Sequence, residues 1–173
     1  MMLYQRNLGF NLIELMTTIM ITSLLSVIAF PSFKSLQQQI RVDSNIRTIQ
    51  QSMQFARNMA ISYGVRITVC PLEQGKCGND WHTGFSIFAD SGKPNELDGQ
   101  DKIIQEVSQF HQEDIIQYNR KAIRYQPDGL ASGTNGTLTY CPETFDSPYS
   151  KAIIINQAGR VRFSTKKNIA CKP

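Results

Sequence analysis

The stretch Gly9-Phe10-Asn11-Leu12-Ile13-Glu14-Leu15, which continues as an apolar run to Ala29-Phe30-Pro31, decides how the rest of the chain is read. From Phe10 to Phe30, 14 of 21 residues are Phe, Leu, Ile, Met, Val or Ala. As a helix this run is roughly 30 Å long, the thickness of a bilayer core. Only nine residues precede it, and their one charge, Arg6, lies on the side expected to be cytoplasmic. A secretory signal peptide has a shorter apolar run and then a small-residue cleavage site. Here Phe30 is followed by Pro31-Ser32-Phe33-Lys34, so residues 10–30 are expected to stay with the mature chain as a transmembrane helix. Glu14 breaks the pattern. A carboxylate in the middle of a membrane helix costs on the order of 2–3 kcal/mol, which marks it as functional unless it snorkels to the interface.

Beyond Pro31 the apolar residues retreat to one side. Ile46, Ile49, Met53, Ala56 and Ala60 recur at three- and four-residue steps, the stripe of an amphipathic helix. Gln37–Gln39, Arg41, Arg47, Gln50, Gln51 and Arg57 are assigned to its solvent face. Gly64 is placed to end it. The amphipathic segment is therefore 31–64, with its second half packed on a head domain, 65–173.

The head reads as short strands separated by turn residues. The candidates are Val65–Cys70, Phe85–Ala89, Lys102–Gln109, Ala122–Gln126, Thr137–Cys141, Ala152–Asn156 and Arg160–Ser164. The breakers include Gly78-Asn79-Asp80, Ser91-Gly92-Lys93-Pro94, Pro127-Asp128-Gly129, Ser132-Gly133 and Ala158-Gly159. A long helix followed by about seven strands implies an α+β fold, the helix packed on antiparallel sheet.

Gly9, Phe10 and Glu14, with the apolar run and Pro31 at their spacing, resemble the type IV prepilin signature. The resemblance implies removal of a leader, residues 1–9, between Gly9 and Phe10 by a prepilin peptidase, and N-methylation of Phe10 by the same class of enzyme. It implies that Glu14 neutralises the terminal amine of a neighbouring subunit during filament assembly, and that Pro31 kinks the helix. Two head segments, Trp81-His82-Thr83-Gly84-Phe85-Ser86-Ile87-Phe88-Ala89-Asp90 and Tyr125-Gln126-Pro127-Asp128-Gly129, resemble those of the FimT/FimU/GspH group of minor pilins and pseudopilins. That group implies a single-pass protein of the bacterial inner membrane with a periplasmic C-terminus. Its members then join other major and minor pilins in a type IV pilus at the cell surface, or form a type II secretion pseudopilus.

The formal charge of +4 hides a strong asymmetry. Residues 1–64 hold five basic and two acidic residues, a balance of +3. Residues 65–146 hold seven basic and twelve acidic residues, a balance of −5. Residues 147–173 hold six basic residues (Lys151, Arg160, Arg162, Lys166, Lys167 and Lys172) and no acid. Such a tail suits a polyanion partner, or folds back to neutralise the acidic body. With 41% hydrophobic and 18% charged residues, the chain is not disordered in composition.

Arg160 and Arg162 fall on one face of the last strand, with Val161 and Phe163 on the other, and same-face residues are roughly 6.6 Å apart. Two arginines at that step can reach successive phosphates, and Arg favours bidentate phosphate contact. Gly159 supplies the permissive backbone of the preceding turn, and Lys166, Lys167 and Lys172 extend the positive surface. Gly159-Arg160-Val161-Arg162 resembles the GRxR motif of FimT-type pilins, which implies capture of double-stranded DNA for natural transformation. The rival reading is a structural subunit that primes filament assembly without binding DNA.

In the compartment that the pilin resemblance implies, disulfides persist. Four cysteines allow three pairings. The six residues between Cys70 and Cys77 make a local bridge easy, which leaves Cys141 with Cys171; four free thiols is the rival. Without a CxxC motif, finger-type zinc sites are excluded. Asp90, Asn95, Asp98 and Asp101 could ligate calcium but do not match an EF-hand loop, so a solvated loop is expected, with no metal and no cofactor. No GxSxG, HExxH or phosphate-cradling glycine loop occurs, and His82 beside Trp81 reads as a strand-edge or core residue. No catalysis is expected.

Overall fold

A computed structural model of the chain describes Gly9 and residues 11–99, 101–131 and 133–173, except for the side chains of Ile28 and Pro31. Residues 1–8 of the leader, Phe10, Ser132 of one turn, and the Pro31 ring invoked for a kink therefore lie outside the described residues. The chain divides into two compact units, with the boundary between Gln38 and Gln39.

Helix α1, Leu12–Tyr63, is 52 residues long. Its first turn carries Glu14, where a negative charge complements the helix dipole. In the first unit Leu12, Ile13, Leu15, Met16, Ile19, Met20, Leu24, Leu25 and Phe30 are all exposed. Among the described residues no single helix is long and apolar enough to cross a membrane; Leu12–Val27 and Ser32–Tyr63 pass that test only as a bent pair, by length and composition.

The second unit begins inside α1 rather than at its end. Ile46, Ile49, Met53, Ala56 and Ala60, the stripe that the sequence periodicity marks, are at most 1% exposed, and Val42 extends it by one turn. Gly64, at φ +64°, closes the helix in the left-handed conformation that glycine adopts without a Cβ penalty. The strands that follow are β1 (Ile67–Cys70), β2 (Leu72–Glu73), β3 (Lys76–Cys77), β4 (Phe85–Ala89) and β5 (Ile103–Val107), then β6 (Ile115–Tyr118), β7 (Ile123–Tyr125), β8 (Gly136–Cys141), β9 (Lys151–Ile155) and β10 (Val161–Phe163). Two antiparallel four-stranded sheets result, β5-β4-β1-β7 and β10-β9-β8-β6, beside a small β2-β3 hairpin.

One core joins the helix stripe to both sheets: Ile67, Val69, Ile87, Ile123 and Tyr125 from the first, Ile116, Leu138, Tyr140, Ile153 and Ile155 from the second. Trp81, in a single 3-10 turn over Trp81–Thr83, bridges them, with ring centroids 5.8 Å from Phe85 and 5.4 Å from Tyr118. A second, smaller cluster of Cys70, Phe88 and Ala122 lies apart from that core.

Several expectations need correction. Strand β6 was not anticipated, and neither was the β2-β3 hairpin. His82 is neither strand edge nor core; it is half-buried in the 3-10 turn, with Nε2 2.9 Å from the His111 carbonyl. The 90–101 loop is exposed at residues 91–94, as expected of a solvated loop, but its acids tie it down. Asp90 is buried, accepting from Arg66 Nη2 at 2.9 Å and Thr68 Oγ1 at 2.5 Å, and Asp101 accepts from Ser91 N and Oγ. Burial acts to raise the Asp101 pKa, but the donors from Ser91 and Asp98 outweigh it and hold the carboxyl below its ordinary value. Among the described residues no group of three or more His, Cys, Asp or Glu is arranged to hold a metal ion.

Arg41 and Arg57, assigned to the solvent face, instead reach back onto the head. Arg41 makes a bidentate contact with the buried Asp114, Nε–Oδ2 3.0 Å and Nη2–Oδ1 2.9 Å. Burial opposes the Arg41 charge, but the hydrogen bond and charge of Asp114 outweigh it and raise the pKa of the guanidinium. Tyr140 donates its hydroxyl to Asp114 at 2.6 Å and accepts from Asn45 at 2.7 Å. Burial, reinforced by that acceptor, pushes the Tyr140 phenol up.

Candidate nucleic-acid interface

The turn Asn156–Gly159 sets the geometry of the basic segment. Gly159 N donates to the Asn156 carbonyl at 2.9 Å, Asn156 N to the Arg160 carbonyl at 3.1 Å, and Arg160 N to Asn156 Oδ1 at 2.9 Å. Gly159 stands at φ +73° and is buried. A Cβ there would lie 2.0 Å from the Gly129 carbonyl oxygen. That same oxygen accepts from Arg57 Nε at 3.0 Å. The Pro127-Asp128-Gly129 turn and the turn before Arg160 are thus pressed together over α1, a contact that no sequence signal announced.

From this anchor β10 runs as an edge strand, paired Val161↔Ile155, Arg162↔Ile154 and Phe163↔Ile153. Val161 packs on the core and Phe163 lies opposite the buried Ile153, so alternation turns Arg162, and Arg160 before it, to the face away from α1. Both arginines are exposed. Among the described residues neither has an acidic partner within ion-pair distance. Among the described residues no ion pair joins the tail's six cations to the acidic 65–146 body; Lys151 pairs instead with Asp43 of α1.

The remaining lysines separate. Lys166 and Lys167 line a groove of about 350 Å³ bounded by Asp43 and Arg47 of α1, Lys151 and Phe163. Arg47, also assigned to the solvent face, places its guanidinium 5.9 Å from the centroid of the Phe163 ring. Lys172 sits elsewhere. It exchanges two hydrogen bonds with the Gln117 side chain on β6, N–Oε1 2.8 Å and O–Nε2 2.7 Å. β6 is the opposite edge of the sheet from β10, three strand spacings or roughly 14 Å away.

Both bridges are those of the local-loop argument, Cys70–Cys77 and Cys141–Cys171. The second fastens the tail to the end of β8, helped by Cys171 N donating to the Phe145 carbonyl at 2.8 Å. Glu14 is exposed and has no ion-pair partner among the described residues.

A long helix packed on two antiparallel four-stranded sheets is the architecture of a pilin-type fold. The crystal structure of the type IV minor pilin FimU of Pseudomonas aeruginosa strain PAO1 superposes on it in two crystal forms. The P21 form gives a TM-score of 0.62 at 17% identity over 79% of this chain and 99% of FimU. The P65 form gives 0.59 at 18% over 75% and 99%. At that identity the match establishes the fold. Residues 45–159 match the family model for the type II transport protein GspH, 115 of the 173 residues, and the chain belongs to that family. No curated protein matches its sequence.

Proposed function

We propose that this chain is a non-enzymatic minor type IV pilin, FimT-like within its family, that captures double-stranded DNA for uptake. A prepilin peptidase cleaves it after Gly9 and methylates Phe10; residues 10–30 hold it in the inner membrane, with the head periplasmic, until it joins other pilins in the pilus. The observation that carries the DNA reading is the pair Arg160 and Arg162, exposed and unpaired on the outer face of an edge strand whose turn is locked by Gly159. At a same-face step of roughly 6.6 Å, they suit successive phosphates without reading bases, so binding is independent of sequence and strongly salt-dependent.

The full chain in detergent tests this. Arg160→Gln/Arg162→Gln is expected to weaken duplex binding about tenfold or more at low salt, and to flatten the log–log salt slope by about 2. Unchanged affinity would remove the two arginines from the interface. The second reading, a structural subunit of a type II secretion pseudopilus, is favoured by the family's own description as a type II transport protein. It wins if the wild-type chain shows no salt-sensitive DNA binding.

Glu14 belongs to assembly under either reading. Glu14→Ala should leave leader cleavage intact and abolish incorporation into filaments, scored by the processed species in membranes and its absence from sheared pili. Normal incorporation in cells that require this subunit would contradict the role.

A further inference from the structure

The groove beside β10 combines cations, an aromatic ring and an apolar wall. Its walls carry four cations, Arg47, Lys151, Lys166 and Lys167, and one acid, Asp43, which is taken by Lys151. Phe163 stands among them 36% exposed, although Val161, two residues earlier on the same face, packs on the core. Ile46, Pro148, Ala152 and Ile169 complete an apolar lining. The Ser150 hydroxyl in the wall has no hydrogen-bond partner among the described residues. The volume, about 350 Å³, is that of a small-ligand site.

Cations beside a part-exposed aromatic ring and an apolar wall are the elements of single-strand recognition, in which a base stacks on the ring and phosphates lie along the charges. In a duplex the base faces are stacked inside and only their edges reach the grooves. A surface aromatic ring is therefore best suited to an unpaired base, whose face is free. We propose that this groove binds an unpaired nucleotide of single-stranded nucleic acid, with Phe163 and the apolar wall against the base and Arg47, Lys166 and Lys167 on the flanking phosphates. The inference rests on the nucleic-acid reading of Arg160 and Arg162. Because β10 is an edge strand, its two faces meet along one free edge, and a strand leaving the arginines can turn over that edge into the groove. An acidic segment of a neighbouring pilin is the competing occupant.

The test compares a labelled 12-nucleotide single strand with a blunt duplex by fluorescence anisotropy, using the full chain in detergent. Phe163→Leu keeps an apolar side chain and is expected to weaken single-strand binding about tenfold while changing duplex binding less than twofold. Lys166→Gln/Lys167→Gln, at exposed positions, should show the same preference for the single strand and serves if the Phe163 variant fails to fold. Arg160→Gln/Arg162→Gln should weaken both ligands. If the groove variants leave single-strand binding unchanged while the arginine variant weakens duplex binding, the groove inference falls and the arginine reading stands. If the groove variants weaken single-strand binding while the arginine variant leaves duplex binding unchanged, the groove stands and the arginine reading falls. Loss of filament incorporation in Phe163→Leu with unchanged nucleic-acid binding would give the groove to a protein partner and overturn the inference.

Discussion

Gly159→Ala is expected to destabilise the head by about 3–5 kcal/mol. Two costs combine. A residue with a side chain at φ +73° costs about 1–3 kcal/mol. The new Cβ would also lie 2.0 Å from a backbone oxygen, that of Gly129, which cannot move without loosening the Arg57 bond and the turn that carries it. Gly129→Ala is cheaper, because its nearest obstacle is the end of the Ile61 side chain at 2.7 Å, which can rotate. Gly133, at φ +72° with nothing within 4 Å of its virtual Cβ, isolates the backbone cost alone, so Gly133→Ala should lose about 1–2 kcal/mol. Urea unfolding of the three variants gives the ranking. Equal losses at 159 and 133 would mean that the two turns are not pressed together.

The second large effect belongs to Asp114. Asp114→Ala strips Arg41 of its bidentate partner and leaves the Tyr140 hydroxyl with Asn45 as its remaining partner. Removing one member of a buried pair typically costs about 3–5 kcal/mol, and Glu143, 3.5 Å from Arg41, recovers only part of that. Asp114→Asn preserves shape and one acceptor and should cost less. The comparison is Lys76→Ala. That lysine pairs with Glu96 at 3.1 Å but is 68% exposed, and its loss should stay within about 0.5 kcal/mol. Thermal unfolding monitored by circular dichroism distinguishes them; a loss at Asp114 no greater than at Lys76 would refute a structural role for the network.

These two sites also mark how far the sequence can be read. The helix stripe from Ile46 to Ala60 follows from periodicity, because burial on one side leaves a regular trace, whereas the strand Phe85–Ala89, buried on both faces, shows as a short apolar run between turn residues. The outward direction of Arg160 and Arg162 follows from strand alternation in the same way. Strand β6 escaped because its four residues are set among polar neighbours, Glu113-Asp114 before and Asn119-Arg120-Lys121 after. The β2-β3 hairpin has two-residue strands, too short to show a period. Arg41 and Arg57 were misassigned because a long side chain at the border of a helix stripe can curl back over the core with its charge satisfied there. The groove depends on Arg47 meeting Phe163, and the two turns on Gly129 meeting Gly159. Such contacts between distant parts of the chain leave no local trace.

The Cys141–Cys171 bridge has a further consequence for the tail. Seven residues separate Phe163, the last residue of β10, from Cys171, so once the thiols oxidise that span is anchored at both ends. Lys166 and Lys167 then hold their places before any ligand arrives, and the entropy of ordering them is lost at folding rather than at binding. Without the bridge the Cys171 end is held only by the hydrogen bonds of Cys171 N to Phe145 and of Lys172 to the Gln117 side chain, so the charges are less narrowly placed. With the head in the oxidising compartment proposed above, the cationic surface would acquire its fixed pattern there.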